Sequence, residues 1–366
     1  MRRGMGRVSV VLAVVALLAA ACTREEPEAQ GGGGEGQGQA AGGLLQEIQG
    51  RGTVRCGVNN AVPGFGFETA EGQIEGFDVD FCKAIAAALF GTDDPQEGEH
   101  YELFPVDTEQ RFSQLRAGRY DVLVRNTTWT SSRDGTEGVA FAHPNYYDGQ
   151  AMMVEQGQYS NIEELDGAPI CVLAGTTTEL NLADYFQSRN LDFEPIVLED
   201  NDQMLQAFRQ GRCEGWTSDR SQLAGIQDQF GDQLGGLVIF DDVMSKEPLA
   251  PAVLDGDQEW AAAVDWVVNG IILAEEIGVD SGNVQQEAED PSTPGIASML
   301  GVPFGEAEDV TFEHGLGLDD TFMQNVLVAV GNYAEIYERH LEPIGLERGI
   351  NALWTDGGIQ YAMPFR

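Results

Sequence analysis

The 366-residue sequence predicts two α/β lobes joined by a hinge, with a helical extension at the C-terminus. Three observations carry this. Short apolar runs alternate with amphipathic helical stretches, the pattern of a mostly parallel sheet. The pattern occurs twice. Two extended apolar segments with turn residues, NYYDGQAMMV (145–154) and MSKEPLAPAV (244–253), mark where the chain leaves the first lobe and returns to it.

The elements follow in order. MRRGMGR is a basic start, and Val8 to Ala21 is apolar apart from Ser9. That run is too short to span a bilayer and suits an export leader, residues 1–21. TREEPEAQGGGGEGQGQAAGG then lacks hydrophobic periodicity and reads as a flexible tether, 22–43. Lobe 1 is expected over 44–150. VRCGV (54–58) is its first strand and GFDVDFCKAIAAALF a helix with an apolar face through Val79, Cys82, Ile85, Ala86, Leu89 and Phe90. YELFPV (101–106) is the second strand. TEQRFSQLRAG (108–118) is a helix with Thr108 as N-cap and Gly118 as stop, and DVLV is the third strand. Lobe 2, 151–245, repeats the plan with APICVLA, TTTELNLADYFQSR, EPIVLE, NDQMLQAFRQG and RCEGWTSD. Residues 246–366 return to lobe 1 and form the extension. There AAAVDWVVNGIILAEEIG and TFMQNVLVAVGNYAEIYERHL are amphipathic, the latter with Phe322, Val326, Val330, Tyr333 and Tyr337 on one side.

Charge narrows the function. Twenty Lys+Arg against 60 Asp+Glu give −40. Such a surface repels nucleic acid and anionic lipid, so neither is expected as a partner. The acids are spread along the chain, which fits a solubility adaptation. Setting Cys22 aside leaves Cys56, Cys82, Cys171 and Cys213, an even number in an exported chain, and therefore disulfides. Of three pairings, Cys56–Cys82 with Cys171–Cys213 is preferred, because each bond stays within one half. No zinc spacing, phosphate loop or Ser-His-Asp arrangement is present, so no metal and no cofactor is expected.

LRAGRYDVLVRN (115–126) and FRQGRCEGWTSD (208–219) align without a gap, and Asn126 and Asp219 both lie eight residues beyond their glycine. Both lobes thus carry a polar cluster at the C-terminal end of a strand, the edge where open α/β sheets bind ligands. RNTTWTSSRD (125–134) is dense in hydroxyls and guanidinium groups. An amino-acid zwitterion needs such a set. Its carboxylate suits an Arg fork, offered by Arg133 with Thr128 beside it, and its ammonium suits Asp219 with Asn126 nearby. AGTTT (174–178) adds a helix N-terminus for an anion. Each residue also has a plainer alternative. Arg133 suits a surface ion pair, Asp219 a helix cap ahead of RSQLAG, and Thr176 to Thr178 a cap alone.

CGVNNAVPGF, GFDVDFCKAIAAALFG, DVLVRNTTWT with the following RD, YYDGQAMMV, CVLAGTTTELNLADYF, GRCEGWTSD, SKEPLAPAV, GNYAEIYERH and NALWTDGGIQYAMP resemble, in order over about 48–366, the general L-amino-acid-binding proteins of ABC uptake systems. The resemblance implies a two-lobed type II periplasmic-binding-protein fold with two hinge strands. It also implies site roles. Arg133 and Thr128 would hold the α-carboxylate, Asn126 and Asp219 the ammonium, and Thr176 and Thr177 the lobe-2 side of the carboxylate. Asn59 and Thr108 would read the side chain. The family's cysteines fall at the same four places. Leu173 stands where some glutamine binders carry a cation. Arg125 has two readings, an ion pair with a nearby acid, which is preferred, or a reach to an acidic side chain of the ligand.

LLAAAC resembles a lipobox with Cys22 as the acylated residue, although Ala19 stands where Leu is preferred; this is favoured over an ordinary export signal with a chance cysteine. The expectation is a monomeric, non-enzymatic binding lipoprotein, extracytoplasmic (periplasmic or at the cell surface) and held to the membrane by a lipid on Cys22. It would deliver L-amino acids to ABC permease subunits. The alternatives are a ligand-sensing module for a receptor and a dehydratase or lyase on the same fold.

Overall fold

The structure is a computed structural model that describes residues 43–305 and 313–366. The expected leader, Cys22 and all of the tether but Gly43 lie outside the described residues.

Two five-stranded sheets of the same plan organise the chain. In lobe 1 the strand order is Tyr101–Pro105, Val54–Val58, Val122–Leu123, Ala252–Leu254, Val139–Phe141. In lobe 2 it is Glu194–Leu198, Pro169–Leu173, Gly215–Asp219, Gln150–Glu155, Leu237–Ile239. The first three strands of each sheet run parallel, and the fourth is antiparallel: the returning strand Ala252–Leu254 in lobe 1 and the entering strand Gln150–Glu155 in lobe 2. Parallel strands need covered faces, and the strand residues are accordingly apolar and buried, as Val54, Cys56, Val58, Val122 and Leu123 are in lobe 1.

The lobes are joined where Tyr146–Asp148 pairs antiparallel with Glu247–Leu249. These two short strands are the crossings that NYYDG and KEPLAP encode. Cys56 is bonded to Cys82, joining the first strand to helix Phe77–Phe90, and Cys171 to Cys213 within lobe 2.

The C-terminal helices pack on lobe 1. Helix Phe77–Phe90 is buried along nearly its whole length, because helix Phe322–Val330 covers the side that the sheet leaves open. The segment from Phe322 to His340 reads as one amphipathic helix by its apolar spacing. It forms two, Phe322–Val330 and Tyr333–His340. Gly331 takes φ 82°, where a side chain would also meet Glu335. Asn332 restarts the helix with a capping box to Glu335. The extension also braces the hinge. Tyr333 donates its hydroxyl to the Asn145 carbonyl at 2.8 Å, and Asn351 makes two hydrogen bonds to the backbone of Tyr147 at 2.7 and 2.9 Å. Tyr337 stacks on Tyr146 at 6.3 Å between centroids.

Candidate functional site

Parallel strands deliver their following loops to one edge, and in both lobes that edge faces the same cleft. Asn59 follows Val54–Val58, Thr108 follows Tyr101–Pro105, and Arg125 and Asn126 follow Val122–Leu123. From the other lobe, Thr176 follows Pro169–Leu173, Asn201 follows Glu194–Leu198, and Asp219 ends Gly215–Asp219. The space between them, counted together with its opening to solvent, is about 400 Å³. All eight sequence-predicted ligand residues line it: Arg133, Asp219, Asn126, Thr128, Thr176, Thr177, Asn59 and Thr108.

On the lobe-1 wall, Thr130 caps the short helix Ser131–Thr136 by accepting from the Arg133 amide. That turn brings Arg133 back over its own strand end, where its Nη1 donates to the Thr128 carbonyl at 2.7 Å. Its guanidinium lies 5.5 Å from the centre of the Phe112 ring. Burial lowers its pKa, while Glu247 and Asp219 work against that. No carboxylate lies within ion-pairing distance of Arg133 among the described residues.

Asn126 has φ 28°, a left-handed conformation that Asn tolerates better than most residues. Two neighbours hold it there. Its amide donates to the Asp78 carboxylate at 2.7 Å, and its side-chain oxygen accepts from Asn59 Nδ2 at 3.1 Å. Asp78 is an acid that sequence reasoning passed over. It is fully buried, and burial pushes its carboxyl up to about 7, against the opposing hydrogen bonds from Asn126 and Asn145 and the charge of Arg125.

Two expectations for this wall need correction. Thr108 does not cap the following helix, which begins at Arg111 with Gln110 before it and no side-chain cap. Its hydroxyl instead accepts from Arg125 Nη2 at 2.9 Å. The preferred reading of Arg125 is not seen: it pairs with no acid among the described residues. Its Nε donates to the Val106 carbonyl at 2.8 Å, and it lies buried against the cleft.

Arg111, within the stretch TEQRFSQLRAG and not among the expected site residues, is 3% exposed and lines the cleft. Its Nη1 donates to the Thr108 carbonyl and its Nη2 reaches across to the Gly175 carbonyl of lobe 2 at 3.1 Å. Nothing in its spacing distinguishes it from an exposed helical arginine. Only the direction of the helix start, set by the strand before it, turns it inward.

On the lobe-2 wall, Asp219 occupies the N-cap position of helix Arg220–Phe230 but makes no side-chain cap bond, so its carboxyl is not used there. Its pKa stands well above the ordinary aspartate range. Burial is the main cause, followed by Asp148 and Glu247, with Arg133 and Asn126 opposing. Asp148, at the hinge, is also raised, to about 6. Thr176 does cap helix Thr177–Ser188, accepting from the Glu179 amide at 3.0 Å, and also donates to the Leu173 carbonyl at 2.6 Å. Thr177 donates to Glu247 at 2.8 Å and stands 3.4 Å from the Thr128 hydroxyl of lobe 1. Gln222, Asn201 and Ser218, which are not among the expected site residues, complete this wall, with Gln222 donating to Asn201 at 2.8 Å.

The arrangement sets a cationic wall against a buried carboxyl across a closed cleft. Such a pair of walls suits a small molecule with both signs of charge. None of the histidines lines it, and the described residues contain no cluster of metal-ligating side chains.

A family model described as bacterial extracellular solute-binding proteins, family 3, matches residues 54–278. The chain belongs to that family. The general L-amino acid-binding periplasmic protein AapJ of Rhizobium johnstonii is 42% identical over 335 residues, covering 90% of this chain and 95% of the relative. The glutamate/glutamine/aspartate/asparagine-binding protein BztA of Rhodobacter capsulatus is 40% identical over 333 residues, covering 90% and 95%. A solved periplasmic binding protein from Brucella ovis, with glutathione bound, superposes with a TM-score of 0.81 at 38% identity, covering 88% of this chain and 99% of that one. The family model ends ahead of the C-terminal helices, but this coverage carries the likeness into them. The solute-binding fold expected from the sequence, with its helical extension, is therefore the fold observed.

Proposed function

We propose that this chain is an extracytoplasmic solute-binding lipoprotein that captures L-amino acids by lobe closure and delivers them to an ABC permease. One observation carries the reading: Arg133 and Asp219 face one cleft from opposite lobes, and neither has an ion-pair partner among the described residues. A zwitterion supplies a partner to each. Its carboxylate meets the Arg133 fork and Thr128, with Thr176 and Thr177 from lobe 2, and its ammonium meets Asp219 and Asn126. Asn59 and Thr108 border the side chain.

Binding both charges at once requires the closed cleft, so the ligand shifts an open–closed equilibrium. No bond is made or broken. The leader and Cys22 would tether the protein to the outer face of the membrane, and Cys22→Ala would release it from the membrane fraction.

The test is a thermal-shift and calorimetric screen against the twenty L-amino acids, with D-amino acids, dicarboxylates and sugars as controls. Ligand that co-purifies is first removed by partial unfolding and refolding. Stabilisation follows RT ln(1 + [L]/Kd). Shifts with L-amino acids that vanish in Arg133→Ala and Asp219→Ala support the reading. No shift with any amino acid would overturn it.

A further inference from the structure

The charge of the cleft is the reverse of the charge of the chain. Acids outnumber Lys+Arg by 60 to 20 overall, yet the cleft is lined by three arginines and one acid. On the proposed function, a zwitterion accounts for two of these four: its carboxylate for Arg133 and its ammonium for Asp219. Arg111 and Arg125 are left over. We propose that these two arginines form a subsite for a second anionic group on the ligand, so that the cleft selects amino-acid zwitterions carrying an additional carboxylate.

Four features support this. First, both guanidinium groups are buried, at 3% and 7% residue exposure, and neither has a carboxylate within ion-pairing distance among the described residues. Burying an unpaired guanidinium is costly, so such groups are kept where a charged partner meets them. Second, their orientation is fixed without neutralising them. Carbonyls and a hydroxyl hold them: Val106 and Thr108 for Arg125, Thr108 and Gly175 for Arg111. Both converge on Thr108, so the two positive groups sit on one corner of the cleft. Third, the Nε of Arg111 is buried and has no partner among the described residues.

Fourth, the surrounding acids do not do the work of a ligand. Asp107 and Asp78 act on Arg125 only at a distance, and both oxygens of Asp78 are engaged by Asn126 and Asn145. Burial, then Arg133 and Arg125, pushes the pKa of Arg111 well down, so the cluster repels itself until an anion enters. A neutral side chain leaves this charge uncompensated, and a cationic one adds to it.

Two sources supply the same chemistry. One is the side-chain carboxylate of aspartate or glutamate, and the other is the distal carboxylate of a γ-glutamyl peptide. The purified chain, freed of ligand, is titrated calorimetrically with L-glutamate and L-aspartate, their amides, L-leucine, L-arginine and glutathione. Charge-assisted hydrogen bonds at this strength give an acid-over-amide preference of about tenfold or more. L-arginine should bind most weakly. A glutathione affinity above that of glutamate assigns the subsite to a peptide carboxylate, and the reverse order assigns it to an acidic side chain. Arg125→Gln and, independently, Arg111→Gln should each collapse the glutamate-to-glutamine ratio. The ratio is read rather than the affinity, because Arg111 also bridges the lobes. Two variants guard against one failing to fold. Amino acids binding with no preference for a second carboxylate overturn the subsite alone. No binding of any amino acid overturns the amino-acid reading, and the subsite with it.

Discussion

Gly225 lies in the middle of helix Arg220–Phe230 in lobe 2, against Pro63 in lobe 1. A Cβ at this position would stand 2.7 Å from the Pro63 carbonyl oxygen and 3.1 Å from its Cβ. Both are rigid, and ordinary contact begins near 3.4 Å. Gly225→Ala must therefore hold the lobes about 0.7 Å further apart at this point, judged by normal van der Waals spacing. Overpacking of this kind costs about 1–3 kcal/mol, and here the cost falls on the closed form alone. Ligand affinity should drop by roughly 5- to 150-fold. On the proposed lobe closure, the open, ligand-free protein should have no clash and should gain up to about 1 kcal/mol from replacing a mid-helix glycine. The signature is a split: calorimetry reports a weaker Kd while the ligand-free melting temperature stays level or rises. An unchanged Kd in a folded Gly225→Ala variant would refute the claim that the lobe contact seen here accompanies binding.

Other perturbations probe the same frame. Arg133→Ala and Asp219→Asn each remove one side of the proposed zwitterion clamp and should weaken binding by about tenfold to a few hundredfold, measured by calorimetry at fixed pH. Asp78 has its carboxyl raised from 3.8 to about 7, so the folded state holds this proton more tightly than the unfolded state. Its contribution to stability is full below pH 3.8 and lost as pH rises through 7. Lowering the pH from 8 to 5 should therefore stabilise the ligand-free protein by ~2 kcal/mol more than it stabilises Asp78→Asn, in parallel denaturant titrations. Asp148, raised to about 6, contributes with the same sign. The two disulfides close loops of 26 and 42 residues, and reducing each should cost ~3–4 kcal/mol in denaturant unfolding.

Much of the fold is legible because periodicity and strand ends are local. VRCGV and DVLV declare themselves as apolar runs that deliver polar residues, GWTSD is found by its gapless alignment with the segment around DVLV, and the repeat of this plan marks two lobes. The acids and arginines around the cleft are less legible, because their roles depend on direction. Arg111 has the spacing of an exposed helical residue, and Thr108 that of a cap. Only the actual helix start at Arg111 turns one into a lobe bridge and the other into an acceptor for Arg125. Asp78 sits among apolar residues of a helix whose every side is covered, which a pattern of one apolar face cannot anticipate. The break at Gly331 is hidden for the opposite reason: Val330, Tyr333 and Tyr337 keep an apolar spacing across it, although the backbone does not continue.

The lobe-1 sheet has a consequence for the order in which an emerging chain can complete itself. Ala252–Leu254 sits between Val122–Leu123 and Val139–Phe141 and is the strand that joins them. The chain reaches residue 252 only after every strand of lobe 2 has appeared, since those strands run from Gln150 to Ile239. Lobe 2 is one uninterrupted stretch with its own disulfide, and can finish early. Lobe 1 has to wait with an unpaired edge at Val122–Leu123, and such an edge is a site for wrong pairing. Vectorial synthesis therefore assigns the risk of misfolding to the lobe that starts first, and an insertion or stall before residue 252 should be more damaging than one of equal length after it.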